Sequence, residues 1–227
     1  MSSVKIITTS DGSHSLFNEE LNETYHSVHG AVQESNHVFI QSGLHYFIDA
    51  FKPKTIFILE IGFGTGLNAL LTIKAAQQLP SLTFNYTTLE AFPLDEEVWS
   101  QLNYADDLKL KDEFHSLHSV LWEVDNRILP NFQFQKQHIK LQEVIFRPSS
   151  FDIIFFDAFA PNKQPELWEI DALKKVTEAL NTNGVFVTYC AKGQLKRDLK
   201  SLGLIVQTIP GPPGKKEMVR AIKSFLG

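Results

Sequence analysis

Residues 56–68 read IFILEIGFGTGLN, and this stretch decides the fold of the chain. The apolar run 56–59 predicts a buried strand, and residues 67–78 predict a helix. Three alternate glycines stand between them: Gly62, Gly64 and Gly66. Glycine lets a ligand approach the main chain closely, and the following helix directs its N-terminal NH groups at that ligand. The order of strand, glycine loop and helix therefore predicts a cofactor pocket at the end of a strand.

The spacing of the glycines separates two classes of cofactor. Dinucleotide enzymes use G-x-G-x-x-G, whereas this loop has glycine at every second position and Glu60 before the first. This version resembles the first motif of S-adenosylmethionine (SAM) dependent methyltransferases. Residues 84–90 predict the next strand, which ends in Glu90 at a position suited to ribose hydroxyls. A NAD enzyme would use an acid there too, and an ordinary tight turn is the structural alternative for the glycines.

Length and composition predict one soluble, cytoplasmic domain. The chain has 227 residues, of which 43% are hydrophobic, enough for one core. We expect an N-terminal extension, residues 1–52, to pack over the pocket of a SAM-dependent methyltransferase domain, residues 53–227. No apolar run is long enough for a membrane span, and the N-terminus has no signal-peptide pattern. Cys190 is the single cysteine, so neither a disulfide nor a cysteine-based zinc site is predicted, and the histidines suggest no metal site.

Strands alternate with helices after the N-terminal segment, which predicts an α/β fold: a Rossmann-like, mostly parallel seven-stranded sheet with helices on both faces. The predicted strands are residues 56–59, 84–90, 132–139, 151–156, 184–189, 204–209 and 218–224. The predicted helices are residues 30–51, 67–78, a helix from near Pro93, residues 106–123 and residues 165–180. Residues 5–17 predict a small hairpin or an extended arm around the turn Asp11-Gly12.

The charge is unevenly distributed. The whole chain carries −5, but residues 190–227 carry +6 and residues 1–189 carry −11. A basic C-terminal face is predicted from Lys192, Lys196, Arg197, Lys200, Lys215, Lys216 and Arg220. Such a face can bind phosphates through charge and counterion release. From charge alone, a solvated surface explains these residues equally well.

The predicted strand 151–156 places a second acid at the pocket. In a doubly wound sheet, ligands bind beyond the carboxyl ends of the strands, where Asp157 stands. Helix capping is the alternative role, but Asp157 lies too far ahead of the helix predicted from Pro165. Phe159, two residues later, is expected either to stack on a planar base or to pack under the strand ends.

Four motifs together resemble a known family: YHSVHGAVQESNHVF, LEIGFGTGLN, LEAFPL and FFDAFAPNKQPELW. The chain is similar to the tRNA 5-methylaminomethyl-2-thiouridine methyltransferases, either the N-terminal half of bifunctional MnmC or its standalone relatives. The likeness runs from TTSDGS to GPPGKKEM, nearly the whole chain. Bifunctional members carry an FAD-dependent oxidoreductase domain, for which a chain ending at Gly227 is not expected to have room.

The resemblance implies roles for individual residues. Those implied around SAM are Glu60, Gly62, Phe63, Gly64, Gly66, Leu67, Asn68, Glu90 and Asp157. Those implied in catalysis are Asp157, Tyr25 and Glu34. Those implied to bind the substrate are Ser27, Phe159, Pro161, Lys163, Lys215 and Lys216. A buried polar cluster is the alternative for Ser27 and Glu34. The chain departs from its relatives near the adenine, where Gln137 and His138 replace an acidic residue.

The implied reaction moves the methyl group of SAM to the amine of 5-aminomethyl-2-thiouridine at the tRNA wobble position. The expected partner is the anticodon arm of tRNA, without FAD, a metal, a membrane or an obligate protein partner. Two alternatives stay open at this point. One is a small-molecule methyltransferase or aminopropyltransferase of the same fold, and the other is a non-catalytic SAM-binding or RNA-binding module.

Overall fold

A computed structural model describes residues 4–224. Its central sheet contains eight strands: β4 (Thr55–Ile61), β5 (Thr83–Leu89), β6 (Asn126–Leu129), β7 (Phe132–Gln137), β8 (Phe151–Phe156), β9 (Leu180–Thr188), β10 (Leu204–Pro210) and β11 (Glu217–Lys223). Their spatial order is β10-β11-β9-β8-β4-β5-β7-β6. The five central strands, β9 to β7, run parallel, whereas β6, β10 and β11 pair antiparallel with their neighbours. The predicted α/β fold is confirmed.

A second, small sheet precedes the central one. It consists of β1 (Val4–Thr8), β2 (His14–Asn18) and β3 (Glu23–Thr24), which pair antiparallel in that order. The hairpin predicted around Asp11-Gly12 is therefore confirmed. Gly12 lies in the β1–β2 turn with φ = 84°, a left-handed conformation that favours glycine.

The helices connect the strands of the central sheet. They are α1 (Ala31–Ser35), α2 (Tyr46–Phe51), α3 (Leu67–Gln78), α4 (Glu96–Trp99), α5 (Tyr104–Leu108), α6 (Lys111–Ser119), α7 (Ile170–Ala179) and α8 (Gly193–Ser201). A π-helical segment (Asn36–His45) joins α1 directly to α2, and a 3₁₀ turn (Pro165–Leu167) precedes α7. Within residues 4–224, no helix combines the length and the apolar character that crossing a membrane requires.

Two buried hydrophobic clusters cover the two faces of the central sheet. One contains apolar residues of the π-helical segment and α3, among them Val38, Leu44 and Leu70. The other contains residues of α7 and α8, among them Leu173 and Leu199. Helices on both faces explain why the inner strands β4 and β8 each contain four consecutive apolar residues, since most of their side chains are buried.

The structure corrects three details of the prediction. The sheet has eight strands and not seven, because β6 is a short edge strand of sequence NRIL that has no apolar alternation. The helix predicted over residues 106–123 is two helices, because Lys109 adopts a left-handed conformation with φ = 58° that ends α5. The helix predicted from Pro165 begins at Ile170, after the 3₁₀ turn.

Candidate active site

A cavity of about 840 Å³ lies at the carboxyl ends of β4, β5, β8 and β9. Its floor includes the glycine loop after β4 and the segments that begin with Glu90 and Asp157. Its opposite side is formed by residues 18–27, which belong to the small N-terminal sheet and the segment after it. The topology therefore brings the two acidic strand ends and the glycine loop into one site, as expected for parallel strands.

The glycine loop requires glycine for two separate reasons. Gly62 has φ = 94°, and a Cβ atom there would lie 2.6 Å from the carbonyl oxygen of Asp157. Gly64 has φ = 50°, and its NH group donates a hydrogen bond of 2.9 Å to Oε2 of Glu90. The loop thus packs main chain against main chain and leaves the space above it to a ligand.

Glu90 is held by two main-chain donors. Besides the bond from Gly64, its Oε1 accepts a hydrogen bond of 2.8 Å from the NH group of Phe92. The side chain is half-buried and lines the cavity. Because each carboxylate oxygen can accept more than one hydrogen bond, a fixed Glu90 retains capacity for hydroxyl groups of a ligand.

Asn68 connects a fully buried carboxyl group, that of Glu60, to a half-buried one, that of Asp157. Its Nδ2 atom donates to Oδ2 of Asp157 at 2.8 Å and to Oε1 of Glu60 at 3.1 Å. Burial raises the pKa of Asp157 to about 7, although the Asn68 bond opposes this shift. Burial likewise raises the pKa of Glu60 to about 8. A carboxyl group with a pKa near 7 can exchange a proton at physiological pH.

Glu60 has no contact with the cavity. Its side chain is fully buried beneath the glycine loop. Among the described residues, its Oε2 atom has no hydrogen-bond partner. The resemblance implied that Glu60 lies around SAM, but its side chain does not line the cavity and instead takes a supporting position behind Asn68.

Aromatic and charged side chains enclose the other end of the cavity. The rings of Tyr25 and Phe159 meet edge to face with centroids 4.9 Å apart. Glu34 accepts a hydrogen bond of 2.6 Å from the NH group of Ser27 and forms an ion pair of 2.5 Å with Lys215. Burial raises the pKa of Tyr25 above its usual value, so this phenol stays protonated at neutral pH.

Most of the residues predicted for the site do line the cavity. These are Tyr25, Ser27, Glu34, Gly62, Phe63, Gly64, Leu67, Asn68, Glu90, Asp157, Phe159, Lys163 and Lys215. Four others do not: Glu60, Gly66, Pro161 and Lys216. Gly66 precedes α3 with φ = 75°, and Lys216 is exposed.

The sequence reasoning missed two stretches that line the cavity. One is the hairpin tip with Asn18, Leu21, Glu23 and Thr24, and the other is the segment 139–143 after β7. Neither Gln137 nor His138 lines the cavity, and the NH group of His138 donates instead to Glu123. Neither stretch has an apolar periodicity, so no sequence signal marks them.

His26 is a further lining residue that the motifs did not identify. It is buried, its ring lies 3.3 Å from the Ser15 hydroxyl, and burial lowers its pKa to about 4. The ring is therefore neutral at pH 7. Among residues 4–224, no group of three or more His, Cys, Asp and Glu side chains is arranged to hold a metal ion.

The basic C-terminal face is smaller than its composition indicates. Arg220 lies 3.5 Å from the ring centre of Tyr46 and donates to Gln207, and Lys196 forms an ion pair with Glu217. The cations of this region that stay exposed are Lys192, Arg197, Lys200 and Lys216. Three of these four lie on α8 or directly before it.

Comparison with known proteins agrees with this geometry. Residues 122–224 match the family described as S-adenosyl-L-methionine-dependent methyltransferase. In addition, 90% of the chain is 28% identical to the tRNA 5-methylaminomethyl-2-thiouridine biosynthesis bifunctional protein MnmC of Nitrosospira multiformis, and 87% is 30% identical to that of Idiomarina loihiensis. The chain spans about a third of the length of these relatives, 35% in both cases.

A solved structure shows the same architecture. The crystal structure of MNMC2 from Aquifex aeolicus superimposes with a TM-score of 0.80 at 26% identity, over 97% of this chain and 70% of that one. Motifs, fold and sequence likeness thus agree over nearly the whole chain. The resemblance found in the sequence is confirmed: the chain is similar to the MnmC proteins of tRNA 5-methylaminomethyl-2-thiouridine biosynthesis in sequence and to MNMC2 in fold.

Proposed function

We propose that this protein is a SAM-dependent N-methyltransferase that converts 5-aminomethyl-(2-thio)uridine at the wobble position of tRNA to its methylaminomethyl form. The observation that carries the proposal is one cavity in which the glycine loop, Glu90 and Asp157 meet, in a chain similar to MnmC proteins over 90% of its length. Since tRNA is a cytoplasmic substrate, the proposal places the enzyme in the cytoplasm.

The residues at the glycine loop fit SAM. The missing side chains at Gly62 and Gly64 leave main chain facing the cavity, and Glu90 is fixed by two NH groups where a ribose needs acceptors. Phe63, Leu67 and Asn68 complete this side of the cavity. When bound, SAM supplies a methyl group on a sulfonium, which is already activated toward a nucleophile.

The charge of the cavity favours a cationic acceptor. Six carboxyl side chains line it, namely Glu23, Glu34, Glu90, Glu143, Asp157 and Glu166, against three lysines, namely Lys140, Lys163 and Lys215. An alkylamine is protonated at neutral pH, and an excess of carboxylates attracts this form. The same excess argues against a phosphate group inside the cavity, which leaves the phosphates of an RNA to the outer surface.

Asp157 is proposed to orient the acceptor amine and, second, to accept its proton. The Asn68 amide fixes the carboxyl group, which supplies the positioning that an in-line displacement needs. A pKa of about 7 makes the carboxylate a better proton acceptor than an ordinary aspartate. Tyr25 and Glu34 contribute from the opposite side by enclosing the acceptor.

The proposed partner is the anticodon arm of tRNA. The exposed cations of the α8 face, defined here as Lys192, Arg197, Lys200 and Lys216, would contact its phosphates. The wobble base would leave the stack and enter between Phe159 and the N-terminal segment, where the Tyr25 and Phe159 rings already form an aromatic wall.

The test is transfer of labelled methyl from SAM to tRNA isolated from cells that lack this gene, followed by nucleoside mass analysis. We expect one new nucleoside, methylaminomethyl uridine. Absence of incorporation in a protein that binds SAM would overturn the RNA substrate. In that case the acidic cavity would direct the search to small amines, including polyamines.

A further inference from the structure

Lys163 bonds to the main chain of a distant segment. It follows β8 by seven residues, in the same loop as Asp157 and Phe159. Its Nζ atom donates to the carbonyl oxygens of Leu21 at 2.8 Å and Asn22 at 3.0 Å. These two carbonyls lie at the tip of the β2–β3 hairpin, more than 140 positions away in the sequence.

The segment that Lys163 holds covers the cavity. We define the roof as residues 18–25, from the end of β2 to Tyr25. Five of its members line the cavity: Asn18, Leu21, Glu23, Thr24 and Tyr25. Inside the roof, Oδ1 of Asn18 accepts a hydrogen bond of 2.9 Å from the NH group of Leu21, and Asn22 has φ = 48°. The tip is therefore a defined turn and presents its carbonyls to the ammonium group.

A second lysine, Lys215, holds the N-terminal segment just beyond the other end of the roof, through an ion pair with a side chain. Its ammonium group pairs with Glu34 and lies 3.8 Å from the ring centre of Tyr189. Glu34 in turn accepts from the NH group of Ser27, two residues after the roof ends. Between the two lysines, Tyr25 of the roof packs against Phe159. Three contacts thus fix the roof and the segment after it to loops of the central sheet, namely the segment after β8 and the turn between β10 and β11.

We propose that Lys163 is a positioning residue, which fixes the distance between the roof and the acceptor bound beneath it. It is not a ligand of RNA phosphates. Two of its three N–H donors are already directed at main-chain carbonyls, which a phosphate contact would compete with. The kinetic part of this inference rests on the proposed function, whereas the structural part can be tested without any substrate.

The experiment compares Lys163→Met with wild type by hydrogen exchange and kinetics. We expect faster amide exchange confined to residues 18–25, because loss of two charge-assisted hydrogen bonds releases the hairpin tip. With tRNA as substrate, KM should rise about tenfold, since such bonds contribute on the order of 1.4 kcal/mol or more. The dissociation constant for SAM should stay unchanged, and Lys163→Arg, which keeps N–H donors, should restore much of the protection.

Two controls make the outcome decisive. Lys54→Met removes an exposed lysine directly before β4. This position is at the amino ends of the parallel strands, opposite the end that holds the cavity, so the change should alter none of these quantities. Lys200→Met removes a cation of the α8 face. It should reduce the salt slope of tRNA binding, which is the slope of log K against log salt concentration, by about 1 without affecting amide exchange. If Lys163→Met behaves like Lys200→Met, with a reduced salt slope or with unchanged exchange in residues 18–25, the positioning role is wrong. If wild-type protein does not methylate tRNA, the proposed function fails while the exchange result still decides the role of Lys163.

Discussion

Substitution of Asp157 tests its proposed part in catalysis. Asp157→Asn keeps the shape of the side chain but removes the ionisable group, so kcat/KM for tRNA should fall on the order of 10²-fold or more. In wild type, kcat/KM should rise with pH and level off above about 7, because burial sets the pKa of Asp157 near that value. Steady-state kinetics between pH 5.5 and 9 measures both effects.

Asp107→Asn is the control, since Asp107 is exposed on α5. It should leave the pH profile and the rate unchanged. The affinity for SAM, measured by calorimetry, should be the same in wild type and Asp107→Asn, and its value in Asp157→Asn separates a loss of SAM binding from a loss of rate. Full turnover by Asp157→Asn would remove both the orienting role and the proton-accepting role.

The buried carboxyl group of Glu60 should make the free energy of unfolding depend on pH. Its pKa is raised from 4.5 to about 8 by burial, so between these values the folded protein binds more protons at this site than the unfolded chain does. This site's contribution to stability is therefore complete below pH 4.5 and is lost as the pH rises toward 8. Glu60→Gln cannot ionise and keeps an oxygen for Asn68. Relative to wild type, the variant should gain stability with rising pH, on the order of a few kcal/mol by pH 9.

Chemical denaturation at pH 5 and pH 9 tests this expectation. Asp157 shifts in the same direction as Glu60, but it is present in both proteins and contributes to both curves. A difference in unfolding free energy that stays constant from pH 5 to pH 9 would contradict a buried, protonated Glu60.

At the scale of elements, the glycine loop depends on the strand next to it. Gly62→Ala should weaken SAM binding more than tenfold and lower stability, because the new methyl group would lie 2.6 Å from the carbonyl oxygen of Asp157. Gly12→Ala is a matched control, since φ is +84° there and no atom of residues 4–224 lies within 4 Å of the added Cβ. That variant should lose about 1–2 kcal/mol from backbone strain alone and keep its affinity for SAM. Equal affinities in the two variants would show that the close approach is not needed for binding.

The elements also show what the sequence can and cannot predict. β4 and β8 were predictable because each contains four apolar residues in a row, which suit a strand buried on both faces. The break between α5 and α6 was not, because Lys109 has a left-handed conformation that no residue preference signals. β6 was missed because an edge strand gains its stability from pairing with β7 and not from its own apolar pattern.

At the scale of the whole molecule, charge separates the cavity from the outer surface. Reversal of two cations of the α8 face, Lys192→Glu with Lys200→Glu, should weaken tRNA binding on the order of tenfold or more at low salt. It should also lower the salt slope by about 2, one per lost phosphate contact. Filter binding at several salt concentrations measures both, with Lys54→Glu as a control for charge reversal away from this face. Unchanged affinity would remove this face from the proposed interface.

The candidate site was predictable wherever its residues follow strands. Glu90 and Asp157 were found because the carboxyl ends of neighbouring parallel strands converge in any such fold. The contacts of Lys163 were not, because an ammonium group bonding to carbonyls more than 140 residues away leaves no pattern along the chain. What a lysine does is decided by the atoms that surround it after folding, whereas the resemblance implied only that Lys163 binds the substrate.

The main-chain contact between Gly62 and Asp157 has a consequence for protein engineering. At Gly62, the loop proposed to bind SAM lies directly against the main chain at Asp157, the residue proposed to face the acceptor amine. A side chain added at Gly62 would therefore also displace the segment at Asp157. A redesign that seeks new acceptors should therefore begin at Phe159, whose ring meets that of Tyr25 edge to face at the cavity, and should keep residues 60–64 and 157 as they are.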